Sequence, residues 1–267
     1  GQKIRKRSES FADHFSQATL FWNSMSEWEK QHILDAFKFE LGKVDHQHIR
    51  EGVVAHLAQV DSGLAEAVAE GVGVAAPQTS GANHGKRSPA LSQAEQTQSA
   101  ATRRVAVLVA DGVDADSLKQ ALAPLREQGV ACELLAPRDG TLRSSSGSSL
   151  DSDRALTTMS SVLYDGVIVA GGEQSVQALL ENGEAVHYAS EAYKHAKPVG
   201  AIGAGVLLLQ RSPIPDDALA ERDVGLVERD GLVTLAGDSD PERFGPAFAK
   251  ALAAHRHFER DVAAVAA

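Results

Sequence analysis

The stretch Lys197-Pro-Val-Gly-Ala-Ile-Gly-Ala-Gly-Val-Leu-Leu-Leu209 decides the fold. Val199 to Ile202 predict a short buried strand, Gly203-Ala204-Gly205 a tight turn, and Val206 to Leu209 the opening of an apolar helix. Strand, small-residue turn and helix together make a nucleophile elbow. Such a turn lifts one side chain above a parallel sheet and leaves backbone N–H groups facing the same space. The residue at its tip is ordinarily Ser or Cys. Here it is Gly203, which has no side chain with which to attack anything.

The surroundings agree with a sheet of this kind. Val105 to Val109 form a continuous apolar run, as expected of a strand covered on both faces. A helix is expected over Asp116 to Gln128, with Leu118, Leu122 and Leu125 on one face and Gly129 as its stop. Further strands are read at Val130 to Leu135 and Val167 to Ala170, with helices at Glu173 to Glu181 and Glu184 to His195. Val224 to Leu235 reads as a hairpin turning at Asp230-Gly231, and Pro241 to Phe258 as a last helix. This alternation predicts an α/β domain over 103–267 with a doubly wound parallel sheet of flavodoxin-like type.

Residues 1–75 read instead as a small all-α segment. Ser26 and Glu29 have the spacing of a capping box, after which Ile33, Phe37 and Leu41 repeat on one face up to Gly42. A second helix carries Ile49, Val53, Leu57 and Val60, and a third follows Asp61 with Leu64 and Val68 and ends at Gly71. Phe11 to Trp22 forms an unusually aromatic arm, expected at the edge of a larger body or on an assembly surface. Residues 76–102 are rich in Ser, Gln, Gly and Ala, the composition of a flexible linker.

The formal net charge of -10 argues against nucleic acid and anionic membranes as general partners. No apolar run approaches the ~20 residues of a membrane helix. The first residues carry no secretory h-region, and the missing initial Met points to a processed, truncated or recloned start. The single cysteine, Cys132, permits no internal disulfide and fits a reducing cytoplasm.

Two resemblances follow from particular residues. Val105 to Asp116, Asp165 to Gly172 and Ala201 to Gly205 resemble the ThiJ/PfpI branch of the class I glutamine amidotransferase-like folds. Active members of that branch have Ala-Ile-Cys-His-Gly at the last of these. The cysteine position falls here on Gly203, the histidine position on Ala204 and the acidic partner on Asp114. Arg7 to Trp22 and Ala36 to Val44 resemble the end of the large-subunit haem catalases, which carry a ThiJ/PfpI-like domain after a linker. Glu191 to Pro198 is similar to the run that precedes the defunct elbow in those enzymes. For a complete subunit the resemblance implies haem, disproportionation of hydrogen peroxide and a homotetramer. The family holds its iron with a tyrosinate in an Arg-x-Phe-x-Tyr-x-Asp motif, and Tyr164, Tyr188 and Tyr193 sit in no such motif. The expectation is therefore a segment with no catalytic, cofactor-binding or metal-ligating residue. It would serve stability, assembly or access control, with chaperone-like binding of unfolded clients through the aromatic arm. The alternative is a stand-alone ThiJ/PfpI-type hydrolase, glyoxalase or deglycase.

Other features read more plainly. Cys132 is expected to be a buried, inert thiol and His46-Gln-His48 a polar helix start. His255 and His257 read as the C-terminal face of the last helix. Lys3 to Arg7 reads as a solvated arm and Ser144 to Ser149 as a loop tip, and Asp151-Ser-Asp153 is too short for a calcium loop.

Overall fold

A computed structural model describes the whole chain except residues 95–97, 221–224, 238, 264 and 267. It divides into two compact units, Gly1–Thr97 and Gln98–Ala267.

The first unit holds α1 (Ser16–Ser24), α2 (Glu27–Gly42), α3 (Gln47–Ala58) and α4 (Ser62–Val72). The Ser26/Glu29 capping box is formed, and Asp61 caps α4 through the Leu64 N–H. The helix α4 continues past Gly71 and stops at Gly73, whose φ of 70° is left-handed. Ile49 is exposed; Val53, Leu57 and Val60 do pack into the apolar cluster, together with Val54 and Ala58, and Val60 lies just beyond the helix end. These side chains join Trp22, Leu41, Leu64 and Val68 in one apolar cluster. The aromatic arm is partly absorbed by that cluster through Trp22 and Phe15, while Phe11 and Phe39 remain 63% and 66% exposed. Residues 81–93, within the linker-like stretch, are hydrogen-bonded back onto the helices, for example Gly81 N–H to the Ala58 carbonyl at 2.9 Å.

The second unit is a mixed α/β structure. In chain order it runs β1 (Arg104–Leu108), α5 (Ala115–Glu127), β2 (Ala131–Ala136), β3 (Thr141–Arg143), β4 (Ser149–Asp151) and β5 (Arg154–Ala155). It continues with β6 (Gly166–Val169), α6 (Glu173–Leu180), α7 (Gly183–Lys194), β7 (Val199–Ile202), α8 (Val206–Arg211), β8 (Leu226–Arg229), β9 (Leu232–Leu235) and α9 (Phe244–Ala253). Seven strands form one sheet in the order β5-β2-β1-β6-β7-β9-β8. All neighbours are parallel except the β8–β9 hairpin, whose expected first residue, Val224, lies outside the described residues. The strands β3 and β4 form a separate antiparallel ribbon that the sequence pattern did not predict. One face of the sheet packs Leu179, Tyr188, Leu208 and Leu209; the other packs Leu122, Leu125, Phe244 and Phe248. Burial on both faces explains why β1, β6 and β7 are unbroken apolar runs.

The last helix is shorter than the expected Pro241 to Phe258. It begins after a 3-10 turn at Pro241–Arg243 and ends at Ala253, and His255 has a left-handed φ of 67° that breaks the helix. His255 and His257 thus do not form a helical face. The His257 ring bonds the Ala251 carbonyl at 3.0 Å, and its N–H reaches the Ala196 carbonyl. The chain then brings Arg260, buried, onto the carbonyls of Asp230, Tyr193 and Lys197.

Lys197, just before β7, is a cation with 4% of its surface exposed. Its ammonium donates to the carbonyls of Ser161 (2.7 Å) and Tyr164 (2.8 Å). Burial pushes it down to about 8, helped by Arg256 and opposed by Asp165 and Glu191. Lys197→Met strands two buried carbonyls and is expected to cost about 2–4 kcal/mol in urea unfolding. The folded value lies below the unfolded one of 10.5, so the folded state releases its proton first. Between about pH 8 and 10.5 the wild type therefore gains stability relative to Lys197→Met, by up to about 3 kcal/mol. A pH-independent difference contradicts this reading of Lys197.

Candidate functional site

The elbow is formed as its sequence predicts: β7 ends at Ile202, Gly203–Gly205 turn, and α8 starts at Val206. Gly203 has φ +54, the left-handed value that lifts a tip side chain out of a strand–helix turn. A Cβ placed there would meet nothing nearer than the Gly171 Cα at 3.9 Å, so the space above the tip is open.

The neighbouring loops are packed far more tightly. A Cβ on Gly205 would lie 2.6 Å from the Val169 carbonyl oxygen. One on Gly172, which has φ +103, would lie 2.3 Å from the Gly112 carbonyl oxygen and 2.7 Å from the Asp114 nitrogen. The loops after β1, β6 and β7 therefore meet backbone to backbone. The Asp114 N–H donates to the Gly171 carbonyl at 3.1 Å, and the Asp114 carboxylate caps α5 by accepting from the Ser117 N–H at 3.1 Å. From the other side the ribbon holds the Asp114 loop: the Gly112 N–H reaches the Arg143 carbonyl at 2.7 Å, and Ser145 N–H the Val113 carbonyl.

Above these loops opens a crevice of about 810 Å³. Its walls include Asp114, Glu173, Gln177, Gly203, Ala204 and Gln210. It lies at the carboxyl ends of β1, β6, β7 and β9, where α/β sheets of this kind bind ligands. The structure thus brings Gly203, Ala204 and Asp114 together, as expected. It adds Glu173, Gln177 and Gln210, which no local signal marks: Val206 to Leu209 read only as the opening of an apolar helix and Glu173 to Glu181 only as a helix. Cys132 stands on β2 opposite Val105 and is not among the crevice residues, and burial pushes its thiol up to about 11. No described side chain lining the crevice is a nucleophile of the elbow type, and Ser117 and Ser239 lie off the elbow tip.

The remaining candidates lie away from the crevice lining. His46 precedes α3, with its ring 5.7 Å from that of His48. The hydroxyls of Ser144, Ser146 and Ser148 bond one another in the β3–β4 turn. Asp153 accepts from the Leu134 N–H at 2.7 Å, and Asp151 from the Thr141 hydroxyl. Among the described residues, no three His, Cys, Asp or Glu side chains form a group that could hold a metal, and no helix is long and apolar enough to cross a membrane.

The class that the fold and site define is a mixed α/β unit with a mostly parallel seven-strand sheet and a glycine at the tip of its strand–helix turn, accompanied by a small helical unit. Comparison with known proteins gives the family. Residues 8–72 match the family described as catalase-related immune-responsive, and residues 101–262 match the C-terminal domain found in long catalases. The chain belongs to the long catalases and corresponds to their C-terminal segment. It is 47% identical to catalase HPII of Mycobacterium avium, covering 100% of this chain and 38% of that protein. It is 43% identical to catalase-2 of Bacillus subtilis (98% and 36%) and 34% identical to catalase-1 of Neurospora crassa (98% and 38%). The chain thus spans little more than a third of the length of these relatives.

The loop geometry orders the effects of substitution. Gly172→Ala is expected to cost about 3 kcal/mol or more, since both its φ and its space exclude a methyl group. Gly203→Ala is expected to cost only about 1 kcal/mol, the penalty of left-handed backbone alone. Chemical denaturation of the two variants checks the order, and equal costs contradict it.

Proposed function

We propose that this chain is the non-catalytic C-terminal module of a haem catalase subunit that disproportionates hydrogen peroxide and assembles as a homotetramer. The observation that carries the non-catalytic reading is Gly203: an elbow with its backbone intact, its tip space open and no atom to react. With the two-residue β5 set aside, the parallel strands, numbered among themselves, run in the order 2-1-3-4-5, which supports a flavodoxin-like sheet, and the elbow geometry supports the ThiJ/PfpI type. The rival reading, a hydrolase or glyoxalase of that type, needs a nucleophile at the tip.

The residues present do not fit haem. A tyrosinate ligand needs a phenolic oxygen open to the iron. Tyr164, Tyr188 and Tyr193 are instead buried in the core beneath the sheet, and the Tyr164 hydroxyl donates to Glu133 at 2.7 Å. Haem and peroxide chemistry accordingly belong to the rest of the subunit, in a cytoplasmic enzyme by our reading.

The exposed rings of Phe11, Phe21 and Phe39 are the surface by which the first unit packs on the remainder of the subunit. In isolation the same surface would hold unfolded clients in a chaperone-like way. Two measurements test the proposal. Mixed with free haem, the purified chain is expected to show no protein-bound Soret band and no peroxide loss above that of haem alone. At stoichiometric ratio it is expected to slow aggregation of a thermally unfolding client, with Phe11→Ser/Phe39→Ser losing most of that effect. Hydrolysis or methylglyoxal consumption abolished by Asp114→Asn overturns the non-catalytic assignment, and aggregation at the client's own rate removes the chaperone role.

A further inference from the structure

Residues 81–93 have a linker's composition, yet they lie along the helices of the first unit. The Asn83 amide exchanges hydrogen bonds with Asn23 at 2.8 and 2.9 Å, the His84 ring meets the Ser16 carbonyl at 2.9 Å, and the Ser88 N–H donates to the Ser24 hydroxyl at 2.9 Å. These contacts are largely solvent-facing, where each contributes little. One anchor differs. Glu29, in the first turn of α2, is only 7% exposed. A capping box asks of it only that it accept from Ser26, and it does so from the Ser26 N–H (2.8 Å) and hydroxyl (2.9 Å). The carboxylate also accepts from the Ser92 hydroxyl at 2.8 Å, and its other oxygen takes the Gln93 N–H at 2.7 Å. Hydrogen bonds to a charged, desolvated acceptor are the strong ones. The donors that reach it, the Ser26 N–H and hydroxyl, the Ser92 hydroxyl and the Gln93 N–H, are neutral.

We infer that residues 81–93 are a strap latched onto the helical unit by the Glu29 carboxylate. The same carboxylate caps α2, so the start of α2 and the docking of the strap are set by one group. This inference is independent of whether the module serves a catalase.

Trypsin reads the latch, because Lys86 and Arg87 are exposed on the strap but held in place, and cleavage of a docked segment tracks its open population. Two variants separate its roles in the full chain. Glu29→Gln removes the charge from both cap and strap. Gln93→Pro removes only the strap's N–H donor and leaves the capping box whole. Cleavage after Lys86 or Arg87 is expected to accelerate roughly tenfold or more in each, the fold-change of about one lost charge-assisted bond. In Gln93→Pro the helical circular dichroism stays at the wild-type value. A wild-type cleavage rate in Gln93→Pro overturns the latch.

Discussion

Where the loops after β1, β6 and β7 cross, two of their glycines, Gly172 and Gly205, have no room for a Cβ. A methyl on Gly172 would sit inside hydrogen-bonding distance of the Gly112 carbonyl, and one on Gly205 would press on the Val169 carbonyl. This backbone-to-backbone closure fixes the carboxyl ends of three adjacent strands and brings the Asp114 cap against the Gly171 carbonyl. The elbow rides on that closure. Gly203 keeps its left-handed conformation although no reactive side chain requires it. The turn keeps its shape without a side chain at its tip because the neighbouring glycines tie it into the packing of the sheet.

At the opposite, amino-terminal ends of the strands, the device is a buried cation. Lys197 gathers two carbonyls from the segment before β6, while Arg260, arriving from beyond α9, gathers three around the start of β7 and the hairpin turn. Arg260 also lies 4.6 Å from the Tyr193 ring centroid. Irregular segments are satisfied by side-chain donors where no ladder can reach them. The sheet is thus held by glycine contacts at one end and by desolvated cations at the other, with stacked Phe244 and Phe248 filling one face between them.

Much of this was legible in the residues. The strands β1, β6 and β7 announce themselves as apolar runs, because both faces are covered and no alternation is imposed. The elbow, the β8–β9 turn at Asp230-Gly231 and the Ser26/Glu29 cap are local signals, set by backbone conformation within a few residues. What escaped was set by partners distant in sequence. The ribbon β3–β4 is short and polar and exists by bracing the Asp114 loop. The helix α9 was drawn too long because nothing local shows that His255 turns left-handed so that the following chain can reach Ala196 and Tyr193. The strap at 81–93 has a linker's composition, and only the burial of Glu29, more than fifty residues earlier, gives its Ser92 and Gln93 a partner. Glu173, Gln177 and Gln210 line the crevice from helices whose pattern reported only their buried faces.

The central claim is that this segment supplies architecture while the chemistry lies in the rest of a long catalase. Its most direct test compares a complete subunit with one lacking residues 98–267, measuring peroxide turnover per bound haem and the half-life of that turnover on heating. The account predicts equal turnover per haem and a shortened half-life. Turnover per haem that collapses while haem content and assembly stay intact would place a catalytic function in this segment and contradict it.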